Sequence, residues 1–148
     1  MPNNIIAVSG EKHTGKTTLI TRLLPHLTAG GLRVAVIKHD GHSFSADVPD
    51  TDSWKYLQSG AYGSAVFDGE KSMVTRLVPT DETALMAAFP EAELLLLEGF
   101  KESAYPKLFI HHDGRVTCTF ADKAFSRDDI EAMAETILAY LKGGCANA

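Results

Sequence analysis

Ile5-Ile6-Ala7-Val8 is an unbroken apolar run that stops at Ser9-Gly10, which predicts a strand buried on both faces. From Lys16 to about Ala29, Leu19, Ile20, Leu23, Leu24 and Leu27 recur at helical spacing. Pro25 inside this stretch predicts a kinked or shortened helix, and Gly30-Gly31 a stop. Arg33–Lys38 is a second β-type run. Residues 39–52 are rich in Asp, Gly and Ser and read as a long acidic loop, a common location for function. A short helix follows over Ser53–Ser59, with Asp52 or Ser53 as its cap. Ser64–Phe67 and Met73–Leu77 predict a hairpin around Asp68-Gly69, a two-residue turn signal. Pro79-Thr80-Asp81-Glu82 opens a helix over Leu85, Met86 and Phe89. Four leucines, Leu94–Leu97, lie between Pro90 and Gly99 and read as a central strand. Lys107–Ile110 and Val116–Phe120 predict a second hairpin at Asp113-Gly114. After the capping-box start at Ser126, Ile130, Met133, Ala134, Ile137, Leu138 and Leu141 mark an amphipathic helix ending at Gly143.

Strands alternating with helices predict an α/β fold, a mostly parallel sheet flanked by helices in three α/β/α layers. The 148 residues predict one domain over 1–148, and 45% hydrophobic with 22% charged residues excludes a disordered chain. A net charge of −5 argues against a general nucleic-acid coat protein, so no nucleic-acid partner is expected. Two distant cysteines, Cys118 and Cys145, exclude a disulfide scaffold or zinc module, and Cys145 reads as exposed and incidental. No apolar run approaches the roughly 20 residues of a membrane span, and Met1–Asn4 carries no basic leader. No membrane association and a cytoplasmic location are therefore expected.

Gly10-Glu11-Lys12-His13-Thr14-Gly15-Lys16-Thr17 matches G-x-x-x-x-G-K-[ST], between a strand and a helix pattern. Such a loop wraps phosphate in main-chain N–H groups, in a conformation glycine permits, at the positive end of a helix. Lys16 then reaches the terminal phosphates and the Thr17 hydroxyl a Mg²⁺ ion, with Thr18 completing the binding stretch. The competing reading, a chance glycine-containing turn, has eight positions and the strand–helix context against it. Lys12 is equally well a solvated charge.

A phosphate loop needs a carboxylate from a neighbouring strand end. Glu98 is the candidate, against the bland reading of a charge that ends a strand; Glu93, at the other end, is expected to face solvent. Asp40, Asp47, Asp50 and Asp52 crowd the loop after the second strand, at the ligand edge of an open sheet. Asp47 is the candidate second Mg²⁺ contact, while Asp50 and Asp52 read as turn residues. His39 and His42 lack the further ligands of a zinc site and read as loop histidines or substrate contacts, and His111-His112 as a hairpin end.

Ile37-Lys38-His39-Asp40-Gly41-His42-Ser43-Phe44-Ser45-Ala46-Asp47-Val48-Pro49, then Asp52-Ser53 and Gly60-Ala61, resembles the I-K-H-x-x-H-x-F-x-x-D-x-P-G-K-D-S…A-G-A signature of the MobB family. Leu97-Glu98-Gly99-Phe100-Lys101 resembles its E-G-F-K hallmark, and the phosphate loop precedes both in the expected order. The resemblance spans Ile5 to about Leu141. It implies a P-loop NTPase fold that binds GTP with Mg²⁺ and hydrolyses it weakly. It also implies a homodimer that assists the guanylyltransferase MobA in attaching GMP to molybdopterin, giving the guanine dinucleotide of the molybdenum cofactor. Gly10 to Thr17 would hold phosphates and Mg²⁺, with Asp47 and Glu98 near the metal and Lys38, His39, His42, Phe100 and Lys101 at the mouth.

Asp50-Thr51 stands where the family has Gly-Lys, and the Gly114–Val116 segment is shorter than in relatives. There is no N-K-x-D motif. Thr119-Phe120-Ala121-Asp122 stands where relatives carry a short A-S-D loop, so the resemblance makes Asp122 either the acceptor of guanine N1 and N2 or an aspartate leading towards a helix. Two other classes stay open: a small-molecule kinase, against which the five scattered arginines argue, and a non-hydrolysing switch in which nucleotide orders the 39–52 loop. In the hydrolytic reading water attacks the γ-phosphate in line and Lys16 and Mg²⁺ stabilise the charge. His39 is the candidate for positioning that water.

Overall fold

The computed structural model describes residues 4–143. Its elements run β1 (Ile5–Gly10), α1 (Lys16–Thr28), β2 (Val34–Lys38), α2 (Asp52–Gln58), β3 (Gly63–Phe67), β4 (Ser72–Arg76), α3 (Glu82–Met86), β5 (Leu94–Glu98), β6 (Lys107–Ile110), β7 (Arg115–Cys118), β8 (Ala124–Ser126) and α4 (Ile130–Gly143). Residues Asp40–Asp81 form one compact unit and the rest of the described chain another.

The larger unit is built on a six-stranded sheet of order β2-β5-β1-β6-β7-β8. β2, β5, β1 and β6 are parallel; β7 and β8 are antiparallel additions. The two central runs are apolar at every position because both faces are covered. Ile6, Val8, Leu94, Leu96, Leu108 and Ile110 meet the leucine stripe of α1 and the Ile130, Met133, Ala134, Ile137 stripe of α4. Ile5, Ala7, Ile37, Leu95 and Leu97 point the other way, against Met86 of the short α3 and against Phe100 and Tyr105. The smaller unit is the β3–β4 hairpin and α2, whose Leu57 is buried.

Several local expectations need correction. α1 continues through Pro25 to Thr28: only one main-chain donor is lost, and Leu23 and Leu27 on either side are fully buried. The α2 cap is Thr51, one residue earlier than expected, accepting from Trp54 N at 3.4 Å. The β3–β4 connection is a four-residue loop, Asp68–Lys71. Asp68 Oδ1 accepts from the N–H groups of Glu70 and Lys71 and so closes a wider turn than Asp-Gly suggests. α3 ends at Met86, leaving Phe89 beyond it. β8 was not expected; its three residues read as the approach to a helix. Cys118 is half-buried, which pushes its thiol up, and Cys145 lies outside the described residues. No described helix is long and apolar enough to cross a membrane.

The capping box before α4 is present: Asp129 Oδ2 accepts from Ser126 N at 2.9 Å and Ser126 Oγ from Asp128 N at 3.3 Å. Asp129→Ala should lower unfolding stability by about 1 kcal/mol, read from denaturant curves; an unchanged midpoint would show the cap is idle.

Candidate functional site

β1 delivers the chain to the carboxyl edge of the sheet at Gly10. A Cβ there would stand 2.8 Å from both the Ile110 carbonyl oxygen and Thr14 Oγ1, so only glycine lets the loop leave beside β6. His13 and Gly15 turn through positive φ, 62° and 90°, and Thr14 Oγ1 ties the loop by donating to Glu11 O at 2.7 Å. These turns curl the segment back so that α1 starts at Lys16 with its free N–H groups at the centre of the curl. Lys16 Nζ reaches across it to Glu11 O at 3.2 Å. Lys12, His13 and Thr18 are exposed around it.

β5 brings Glu98 alongside: Val8 and Glu98 are register partners. Glu98 is 6% exposed; its Oε1 accepts from Thr17 Oγ1 at 2.5 Å and its Oε2 lies 3.7 Å from Lys38 Nζ. A hydroxyl and a carboxylate thus converge at the first turn of the helix, the hard-oxygen pair that Mg²⁺ takes beside phosphate oxygens. The two side chains meet although 81 positions separate them.

Beyond Glu98 the chain turns sharply. Gly99 at φ 105° and Phe100 at φ 57° carry it over the loop, and the Gly99 carbonyl accepts from Ser9 Oγ. Phe100 lies against His39 and Tyr105, with centroids at 5.9 and 6.5 Å. Lys101 Nζ stands 4.0 Å from Glu11 Oε2. Lys38, His39, Phe100 and Lys101 therefore do gather at one mouth.

Two contributors were not legible. Lys107, at the start of β6, is buried, and its ammonium donates to the carbonyls of Phe100, Lys101 and Ser103 at 3.3, 3.1 and 2.6 Å. It holds the 99–103 turn in shape. Arg127 donates from Nη1 to Thr14 O of the phosphate loop at 3.3 Å, so the arginines are not all scattered away from it. Neither has a sequence signal beyond its residue type.

Asp47 and His42 belong to the Asp40–Asp81 unit. Asp47 sits at φ 73°; its Oδ1 accepts from Val48 N at 2.7 Å and its Oδ2 is buried without a hydrogen-bond partner among the described residues. The His42 N–H donates to Asp40 Oδ1. Asp122 follows β7. β7 runs antiparallel to β6, away from that edge, and Thr119 N is already bonded to Lys107 O at the start of β6. The turn that carries Asp122 follows from there.

Residues 5–135 match the family described as molybdopterin guanine dinucleotide synthesis protein B, MobB. The chain belongs to the MobB family. It is 32% identical over 111 residues to the molybdopterin-guanine dinucleotide biosynthesis adapter protein of Haemophilus influenzae, covering 72% of this chain but 62% of that protein. The crystal structure of Bacillus subtilis MobB is 34% identical, with a TM-score of 0.62 over 72% of this chain and 67% of that one. Another solved MobB, 29% identical, superposes with a TM-score of 0.68 over 93% and 99% of the two chains. The mostly parallel sheet with its helices is thus the MobB α/β fold, consistent with a P-loop NTPase.

Proposed function

We propose that this MobB-family chain binds GTP with Mg²⁺ at the Gly10–Thr18 loop, hydrolyses it slowly, and serves as an adapter in making molybdopterin guanine dinucleotide. In this reading it acts as a cytoplasmic homodimer beside the guanylyltransferase MobA and its pterin. The observation that carries the nucleotide reading is the Thr17–Glu98 pair, closed at 2.5 Å beneath a loop that Lys16 spans. The family name and the Haemophilus relative's name support the pathway.

Thr17 and Glu98 would hold the ion, and when bound it would neutralise charge on the terminal phosphates. The chain's own part is positional. Main-chain N–H groups at the start of α1 hold the phosphates, and Lys16 swings from Glu11 O to neutralise negative charge. Phe100 and Tyr105 wall one side of the mouth. His39, exposed and against Phe100, is the candidate to orient the attacking water; with an exposed imidazole in that role, slow turnover is expected.

Calorimetric titration of GTP and ATP, each with and without Mg²⁺, tests the reading. Mg²⁺ should tighten GTP binding, and Glu98→Gln should remove about tenfold of that gain. Asp47→Asn is the parallel variant for the third metal candidate. GTP affinity indifferent to Mg²⁺ would overturn the metal assignment.

A further inference from the structure

We propose that Arg127 is a nucleotide-binding residue that grips the polyphosphate on its nucleoside side. The proposal rests on the reading of the Gly10–Thr18 loop as a nucleotide site and adds to it which side each end of the ligand occupies.

The strand order supplies the direction. β5, which carries Glu98, lies on one side of β1; β6, with the turn at Gly114, lies on the other. Thr17 and Glu98 would hold an ion that neutralises the terminal phosphates, which would set that end of the ligand towards β5. The nucleoside end must then leave towards β6. Arg127 stands on that flank, just after β8. Its main-chain N–H donates to Gly114 O at 3.0 Å, and its side chain lies beside Gly15 and Gly114 at ordinary contact distance. A Cβ on Gly15 would be 3.9 Å from Nη1, and one on Gly114 would be 3.7 Å from Nε.

The guanidinium is held but not spent. One of its five N–H donors goes to Thr14 O. No carboxylate among the described residues forms an ion pair with it; the neighbouring Asp128 is taken by Arg22 at 3.0 Å, and Asp129 by the Ser126 N–H. An open cleft lined by Asp113, Gly114, Ser126, Arg127 and Asp128 continues outward from it. An uncompensated planar cation fixed at the rim of a phosphate cradle suits a fork-like grip on non-bridging phosphate oxygens. Because that phosphate is common to di- and triphosphates, both ligands should feel its loss alike.

The test is titration of GTP and GDP, with Mg²⁺, against Arg127→Ala and Arg127→Lys, alongside unfolding curves without nucleotide. Arg127→Ala should weaken both nucleotides about tenfold, with the unfolding midpoint unchanged because the residue is exposed. Arg127→Lys should recover part of the loss through its charge. Unchanged affinity for both ligands, or a loss confined to GTP, would overturn the proposal. So would an equal loss accompanied by a lowered midpoint and no recovery in Arg127→Lys, which would make Arg127 a brace for the loop. Lys16→Ala run in parallel separates the two layers: retained binding there rejects the loop reading itself, whereas lost binding there with an intact Arg127→Ala rejects only this proposal.

Discussion

Lys16→Ala is expected to lower GTP affinity by about a hundredfold or more while leaving the fold in place. The side chain has no structural duty that would confuse the result. α1 is anchored by Leu19, Ile20, Leu23 and Leu27, and Lys16 contributes nothing to that face. Its ammonium reaches over the loop to a main-chain carbonyl, Glu11 O at 3.2 Å, and forms no ion pair among the described residues. Phosphate entering the curl would meet main-chain N–H groups and this one mobile charge together, in a space ringed by protein. Removing the charge leaves the anion desolvated without its main counter-charge, a cost of roughly 2–5 kcal/mol. A fluorescent guanosine triphosphate analogue titrated into wild type and variant reads the affinity, and a denaturant curve the fold. Affinity within about threefold of wild type would reject the cradle.

Leu96→Ala should cost roughly 2–5 kcal/mol of unfolding stability, out of the 5–15 kcal/mol typical of a domain. Leu96 is fully buried in β5, the strand between β1 and β2, and pairs in register with Ile6 on one side and Val36 on the other. Truncation opens a void under α1 and α4 where neighbouring strands cannot collapse inward. Val36→Ala is the control. Val36 lies in the same row but on the edge strand β2, where it is 37% exposed, and its truncation should cost under about 1 kcal/mol. Equal losses at the two positions would mean the sheet order is wrong. Because Leu96 stands two residues before Glu98, the variant should also weaken Mg²⁺-dependent binding.

Both expectations draw on parts of the chain that differ in how readable they were. The β1–loop–α1 unit is local: strand, curl and helix lie within two dozen residues, and the glycine positions follow from clashes between near neighbours. The apolar runs of β1 and β5 were readable because a strand covered on both faces has no polar position to interrupt it, and the α4 stripe because one face packs on α1 and the sheet. Glu98 was inferred from its place at a strand end, and the parallel register of β1 and β5 put it under Thr17. Asp122 was not placed by local pattern, for the complementary reason. Its position depends on the direction of β7, which runs antiparallel to β6. Lys107 looks like any lysine at the start of a strand until the 99–103 turn folds over it and supplies three carbonyls.

What the amino-acid order determined by itself was the set of local pieces, namely buried strands, amphipathic helices and a glycine-framed curl before α1, because each follows from contacts within a few residues. What only the tertiary structure decided was which distant side chains flank that curl. Glu98 on the β5 side and Arg127 on the β6 side are 81 and 113 positions from their loop partners, Thr17 and Thr14. Strand order and direction set those meetings, through burial summed over the whole sheet rather than any short stretch of chain.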